Sequence, residues 1–203
     1  MARRSISAAI GMVVLTAGPA FGDETTDAIR KAGAHYRQGS LGKAFTQSEM
    51  AATLIARRLA ALYAKTFPGA PGGWRAQPIK SSIKGKARAG RGVILRRTYS
   101  QAGGQGKMTA ELSVVANPAI LAVMKGIKGA EAKRTKRAVA PMRGAGNAFV
   151  KFNDARRTGD IFVFVAERFY ITVRVQKAGS QELLTRMLSS WNFAGLKKAA
   201  GMK

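Results

Sequence analysis

Between Thr66 and Gly73 the chain carries Pro68, Pro71 and three glycines, and the hydrophobic pattern changes character across that stretch. Proline fixes φ and lacks an N–H, so neither a helix nor a regular strand continues through it. Before it, mostly apolar residues fall on helical spacing: Ala28, Ile29, Ala32, His35 and Tyr36, then Phe45, Ser48, Ala52, Ile55, Leu59 and Leu62. After it they alternate, with Val93, Leu95, Arg97 and Tyr99 on one face and Met108, Ala110, Leu112 and Val114 on the next run. A helical period followed by a strand period in one short chain predicts helices packed on an antiparallel sheet rather than a parallel α/β fold.

The N-terminal part reads as two helices, with Thr25, Thr26 or Asp27 as N-caps and Gly39-Ser40-Leu41-Gly42 as the break between them. So short a connection makes them an antiparallel hairpin. Gly33, Tyr36, Ala44 and Ala52 echo one tetratricopeptide unit. No second copy follows, and one unit cannot bury its own face. Beyond the Pro/Gly stretch, Gln101 to Gly106 turns one strand into the next, and Asn117-Pro118 caps a short helix through Ile120, Leu121 and Met124 that Gly126 and Gly129 end. Runs at Arg134 to Ala140, Ala148 to Phe152, Ile161 to Ala166 and Phe169 to Val175 read as strands, the last two joined at Glu167-Arg168. Ser180 caps a final helix with Leu183, Leu184, Met187, Leu188 and Trp191. The expected fold is α+β: a helical hairpin, then an antiparallel sheet of about six to seven strands covered on one face by helices. Phe162, Phe164, Phe169, Tyr170 and Trp191 are expected between sheet and last helix, and Trp74 at the junction of hairpin and sheet. The expected division is 1–22 leader, 23–66 hairpin, 67–73 linker and 74–203 α+β domain.

The leader is an expectation from residues 1–22. Met1-Ala2-Arg3-Arg4, an apolar run from Ala8 to Ala17 and Ala20-Phe21-Gly22 match the three parts of an export signal, with the cut after about Gly22. The run is about half the ~20 residues that span a bilayer, and nothing in the mature part is longer and as apolar. Arg3-Arg4 lacks the flanking residues of a strong twin-arginine motif. The expected location is the periplasm. With no cysteine, the mature chain has no disulfide and no thiolate chemistry.

Without Arg3 and Arg4 the chain keeps 33 basic against 10 acidic residues, a net charge of +23. In a bacterial envelope the available anions are lipid headgroups, lipopolysaccharide and wall polymers, and each basic residue near such a surface contributes on the order of 1 kcal/mol. The anion-binding candidates are Lys80, Lys84, Lys86, Arg88 and Arg91, then Lys133, Arg134, Lys136 and Arg137, then Arg156 and Arg157, all read as loops and rims. Nucleic acid fits export poorly, and few aromatics stand among these cations to stack bases. The helical hairpin offers a second surface, for a protein partner. High charge alone also serves solubility.

Catalytic chemistry has little material. His35 is the only histidine, so no multi-histidine metal site can be assembled, and a serine-histidine relay only if His35 itself serves; beside Tyr36 on a helix and near no carboxylate in sequence, it reads as a structural or surface histidine. No acidic cluster has metal-ligand spacing, and no cofactor is expected. Gly103-Gly104-Gln105-Gly106 and Gly144-Ala145-Gly146 sit between strands without the Lys-Ser/Thr ending of a phosphate loop, and read as turns. The leading expectation is therefore a non-catalytic envelope-associated binding protein. The alternative is a cell-wall or acidic-polymer hydrolase using a carboxylate pair, Glu111 with Asp154 or Asp160.

Gly33-Ala34-His35-Tyr36-Arg37-Gln38-Gly39, Pro68 to Trp74 and Ser189-Ser190-Trp191-Asn192-Phe193-Ala194-Gly195-Leu196 together resemble a group of uncharacterised periplasmic proteins of Gram-negative bacteria. Those have a signal, a short hairpin, a Pro-rich link ending in Gly-Trp, an antiparallel sheet and a closing helix. The sheet with its last helix also looks like the Mog1/PsbP-like fold, which implies a binding scaffold and no catalytic residues.

Overall fold

The computed structural model describes residues 23–84, 92–115 and 117–202, so the expected leader, Lys86, Arg88 and Arg91 lie outside the described residues. The described chain divides into two compact units, one ending at Ala51 and one beginning at Ala52. That division falls inside a helix rather than at the Pro/Gly stretch.

In the first unit, α1 (Glu24–Arg37) starts at Asp23, whose carboxylate accepts from the Thr25 N–H at 3.1 Å. Glu24 and Asp27 in its first turn and Arg37 in its last complement the helix dipole. Gly39, at φ 72°, turns the chain into α2 (Leu41–Ala64). The buried residues of α2 are Ala44, Ala51, Ala56, Ala60 and Tyr63, whereas Phe45, Ile55 and Leu62 of the expected stripe are exposed. A helical period reveals that a stripe exists, but small residues permit the closest approach, and here the alanine stripe is the buried one.

The second unit contains β1 (Trp74–Ala76), β2 (Lys80–Lys84), β3 (Gly92–Gln101), β4 (Lys107–Val114), α3 (Pro118–Arg134), β5 (Ala138–Met142), β6 (Gly146–Asn153), β7 (Thr158–Val165), β8 (Phe169–Gln176), α4 (Gln181–Ser189) and α5 (Phe193–Ala199). The eight strands form one sheet in the order β1-β3-β4-β8-β7-β6-β5, with β2 also on β3, and every pairing is antiparallel. The fold is α+β. The short strand β1 and the polar strand β2 add to the expected set: Lys80 and Lys84 stand on a strand, not in a loop. Lysine on an edge strand resists further strand pairing.

Both expected glycine turns are hairpin turns. Gln101 donates to the Gly106 carbonyl at 3.0 Å around Gly103, and Gly144 and Gly146 take positive φ between β5 and β6. The β7–β8 turn centres on Ala166 and Glu167, at φ 51° and 49°, one residue earlier than expected.

One face of the sheet carries the main core. Ala56, Ala60 and Tyr63 from α2, Leu184, Met187 and Leu188 from α4, and Phe193 and Leu196 from α5 pack on the inner side chains of the strands. The Tyr63 ring meets Phe169 edge-on at 5.5 Å. The Pro/Gly stretch is no loose linker at its start: Thr66, Phe67 and Pro68 are buried. Phe67 lies 4.4 Å from the Trp191 ring, the Trp191 indole N–H donates to the Thr66 hydroxyl at 3.3 Å, and the Tyr99 hydroxyl donates to the Pro68 carbonyl at 2.8 Å.

The opposite face is half covered, not open. Phe162, Phe164 and Tyr170 point there and not toward the last helix, because they alternate with Ile161, Val163, Phe169 and Ile171 of the main core. With Phe149 they form a second aromatic cluster, with ring centroids 4.9–6.1 Å apart. Leu121 and Ala132 of α3 are buried outside the main core. α3 is also longer than expected, running through Gly126 and Gly129. Glycine costs a helix about 1 kcal/mol, which buried neighbours can offset.

Candidate anion-binding face

Beyond the aromatic cluster, the outer face of β3, β4 and β8 stays polar. The strand registers set the side chains in ladders. Lys80, Arg96, Glu111 and Thr172 run across β2, β3, β4 and β8, and Thr98, Thr109, Arg174, Asp160 and Lys151 run from β3 to β6. Between them lies a depression of about 220 Å³ lined by Arg96, Lys107, Thr109, Glu111, Arg174 and Gln176 among others. A second, of about 400 Å³, continues from Arg174 and Gln176 to Lys151, Asn153 and Thr158. Both are shallow and lined mainly by hydroxyls, amides and cations, with the Glu111 carboxylate in the first and Asp160 and Val175 in the second. That suits an extended hydrophilic partner better than an enclosed small molecule.

Charge on this face is uneven. Arg96 Nε and Nη2 donate to one oxygen of Glu111 at 2.9 and 2.6 Å, so that pair is locally neutral. Arg137 forks onto Asp160 at 2.8 and 3.3 Å. Lys107, Lys151 and Arg174 are exposed and have no carboxylate partner among the described residues. They leave the ladder with net positive charge where a ligand would lie. Burial pushes the Tyr170 phenol at the edge of this face up to about 12, with Arg174 opposing and Asp160 and Glu131 adding to the shift.

The loop candidates divide by role. Lys133 and Arg134 end α3, where cations complement the helix dipole. Lys136 sits at φ 48° in a Schellman turn: its N–H donates to Lys133 O at 3.1 Å, and the Arg137 N–H to Ala132 O at 3.0 Å. That turn aims Arg137 at Asp160. The side chain of Arg137 is only 8% exposed, and its guanidinium lies 5.2 Å over the Phe162 ring. Arg137 is therefore not an anion-binding surface residue. It anchors the end of α3 to β7, and one arginine within a basic run carries no sign of that in the sequence. Arg137→Met should lower stability by about 1–2 kcal/mol, since the hydrogen-bonded arginine is lost but the carboxylate left behind on Asp160 is 32% exposed and stays partly solvated. Denaturant unfolding checks this, and an unchanged midpoint would refute the anchoring role. Arg156 and Arg157 are exposed in the β6–β7 turn, where the Asn153 side chain accepts from the Arg156 N–H at 2.9 Å.

Set beside family models, curated proteins and solved structures, the chain matches none of them. The Mog1/PsbP likeness finds no support there, and the face has to be understood from its own chemistry.

Both carboxylates of the expected hydrolytic pair that lie on the sheet are engaged, Glu111 by Arg96 and Asp160 by Arg137. β8 stands between their strands and Asp160 is two residues out of register with Glu111, which sets the backbones about 12 Å apart. Asp154 lies in the exposed β6–β7 turn, where its carbonyl accepts from the Arg157 N–H at 3.1 Å. Among the described residues no three His, Cys, Asp or Glu side chains group to hold a metal, and no helix is long and apolar enough to cross a membrane. Lys107, Lys151 and Arg174 escaped the sequence-level list because none sits in a run of basic residues. Only strand register brings them together.

Proposed function

We propose that this protein is an exported, periplasmic, non-catalytic binding protein that holds an anionic component of the cell envelope (a lipid headgroup, lipopolysaccharide or wall polymer) against the outer face of its sheet. The observation that supports the reading most is the stretch of Lys107, Arg174 and Lys151, three cations without carboxylate partners among threonine, asparagine and glutamine side chains. Hydroxyls and amides supply hydrogen bonds to phosphate or carboxylate oxygens and to sugars, while the cations supply attraction. The net charge of +23 adds a long-range field that raises the local concentration of anions. Lys80, Lys133, Lys136, Arg156 and Arg157 contribute to that field from strand β2 and the rims.

The hydrolase alternative has less support, since a general acid or base must be available to the substrate, and two of its three carboxylates are held by arginines. The test is co-sedimentation of the purified protein with anionic vesicles, lipopolysaccharide and peptidoglycan at low and high salt. Retention on at least one of them that falls steeply with salt is expected, because exposed charges are screened within about 10 Å at 0.1 M. Salt-independent retention, or none, would refute the reading. Export is tested separately by the N-terminal residue of the periplasmic protein, expected to be Asp23.

A further inference from the structure

Residues 23–51 differ in kind from the remainder of the chain. Asp23, Glu24, Asp27 and Glu49 balance Arg30, Lys31, Arg37 and Lys43, so the hairpin segment is formally neutral. From Ala52 onward 29 basic residues face 6 acidic ones, and the entire excess of +23 is there. The neutral unit also leaves its largest apolar side chains in solvent: Tyr36 is 69% exposed, Leu41 63%, Phe45 60% and Ile29 53%. Tyr36, Leu41 and Phe45 line a groove of about 400 Å³ between α1 and α2, whose floor is the small residues Ala32, Gly33 and Ala44. A knob-and-hole surface of large and small residues on neighbouring helices is what helix bundles bury.

We infer that this groove is the pairing surface for a second copy of the same chain, the two hairpins closing into a four-helix arrangement about a two-fold axis. Two observations favour a second copy as occupant. Two bodies of charge +23 repel wherever they meet except through a neutral segment, and this is that segment; a two-fold axis sets that same neutral patch of each copy on its twin. Finally, the groove offers both halves of the fit, with Tyr36 and Phe45 as knobs and Gly33 and Ala44 as the hole they enter. Pairing would also present the cationic faces in duplicate, a consequence that rests on the anion-binding reading, whereas the pairing itself does not.

The test is sedimentation equilibrium of the periplasmic protein from Asp23 onward over a dilution series at low and high salt, with Tyr36→Asp and Phe45→Asp compared. Both side chains are exposed, so helix content by circular dichroism should be unchanged in each variant. A dimer that dissociates on dilution and persists at high salt is expected. Either substitution should raise its dissociation constant about thirtyfold or more, as for the loss of a central aromatic anchor. A monomer at every concentration would overturn the inference and assign the groove to another protein. A dimer insensitive to both substitutions would overturn it too, as would one dispersed by salt, which would point to bridging by a polyanion. Anion retention by a monomeric protein would leave the functional reading standing while this one fails.

Discussion

Replacing Lys107, Lys151 and Arg174 together by glutamine should weaken retention on anionic envelope material about a hundredfold, while the protein stays folded. Each cation near an anionic surface contributes on the order of 1 kcal/mol, so three amount to roughly two decades in affinity. Being exposed, they add little to the folded state. The salt dependence should flatten in the variant, because fewer screened contacts remain. A matched variant, Lys136, Arg156 and Arg157 to glutamine, removes three charges from the rims without touching the ladder. It should slow association more than it weakens retention, since rim charges act by steering. Retention left intact by the first variant and abolished by the second would place binding in the turns and remove the sheet face from the proposal.

Trp191→Ala should destabilise the second unit by about 3–5 kcal/mol, the range for emptying a large aromatic side chain from a packed core. Trp191 is 3% exposed, packs tilted against the Phe67 ring and donates to Thr66, and the next residue, Asn192, donates its N–H to the Thr66 carbonyl at 3.2 Å. The tryptophan thus joins the end of α4 to the segment leaving α2. For a protein of this size the loss corresponds to a fall in melting temperature of about 10 °C. Trp191→Phe keeps the ring packing, loses the indole donor and should cost about 1 kcal/mol from the hydrogen bond. Circular dichroism melts of the two variants separate the contributions. Equal effects would mean that the hydrogen bond, not the filled volume, holds the junction.

Much of the secondary structure was legible because short-range chemistry marks it. Asn117 before Pro118, Ser180 before Glu182 and the glycines of the β3–β4 and β5–β6 turns each satisfy or bend the backbone locally, and each does so in the structure. Where the expectation failed, a long-range term had won. β2 is polar and gains its place from the backbone hydrogen bonds of its neighbour β3, which a hydrophobic period cannot register. In Ile161-Phe162-Val163-Phe164-Val165 every residue is apolar, so alternation cannot say which face meets which helix. In the structure Ile161, Val163 and Val165 enter the main core, whereas Phe162 and Phe164 join the aromatic cluster on the other face. Arg137 reads as one more basic residue until the turn after α3 directs it onto Asp160.

By itself the sequence determined the α+β class, the positions of most turns and caps, and the excess of positive charge, because these depend on residues near in sequence or on composition. It also excluded thiolate chemistry and multi-histidine sites outright, since the residues are not there. Only the tertiary structure decided which cations stand together. Lys107, Lys151 and Arg174 come from three strands, and their proximity depends on the registers of β4 with β8, β8 with β7 and β7 with β6. A slip of one residue in any of those pairings would turn the affected side chains to the opposite face. Register is set by burying Met108, Ile171, Val163 and Val150 on the other side, so the cationic face is positioned by a core it does not touch.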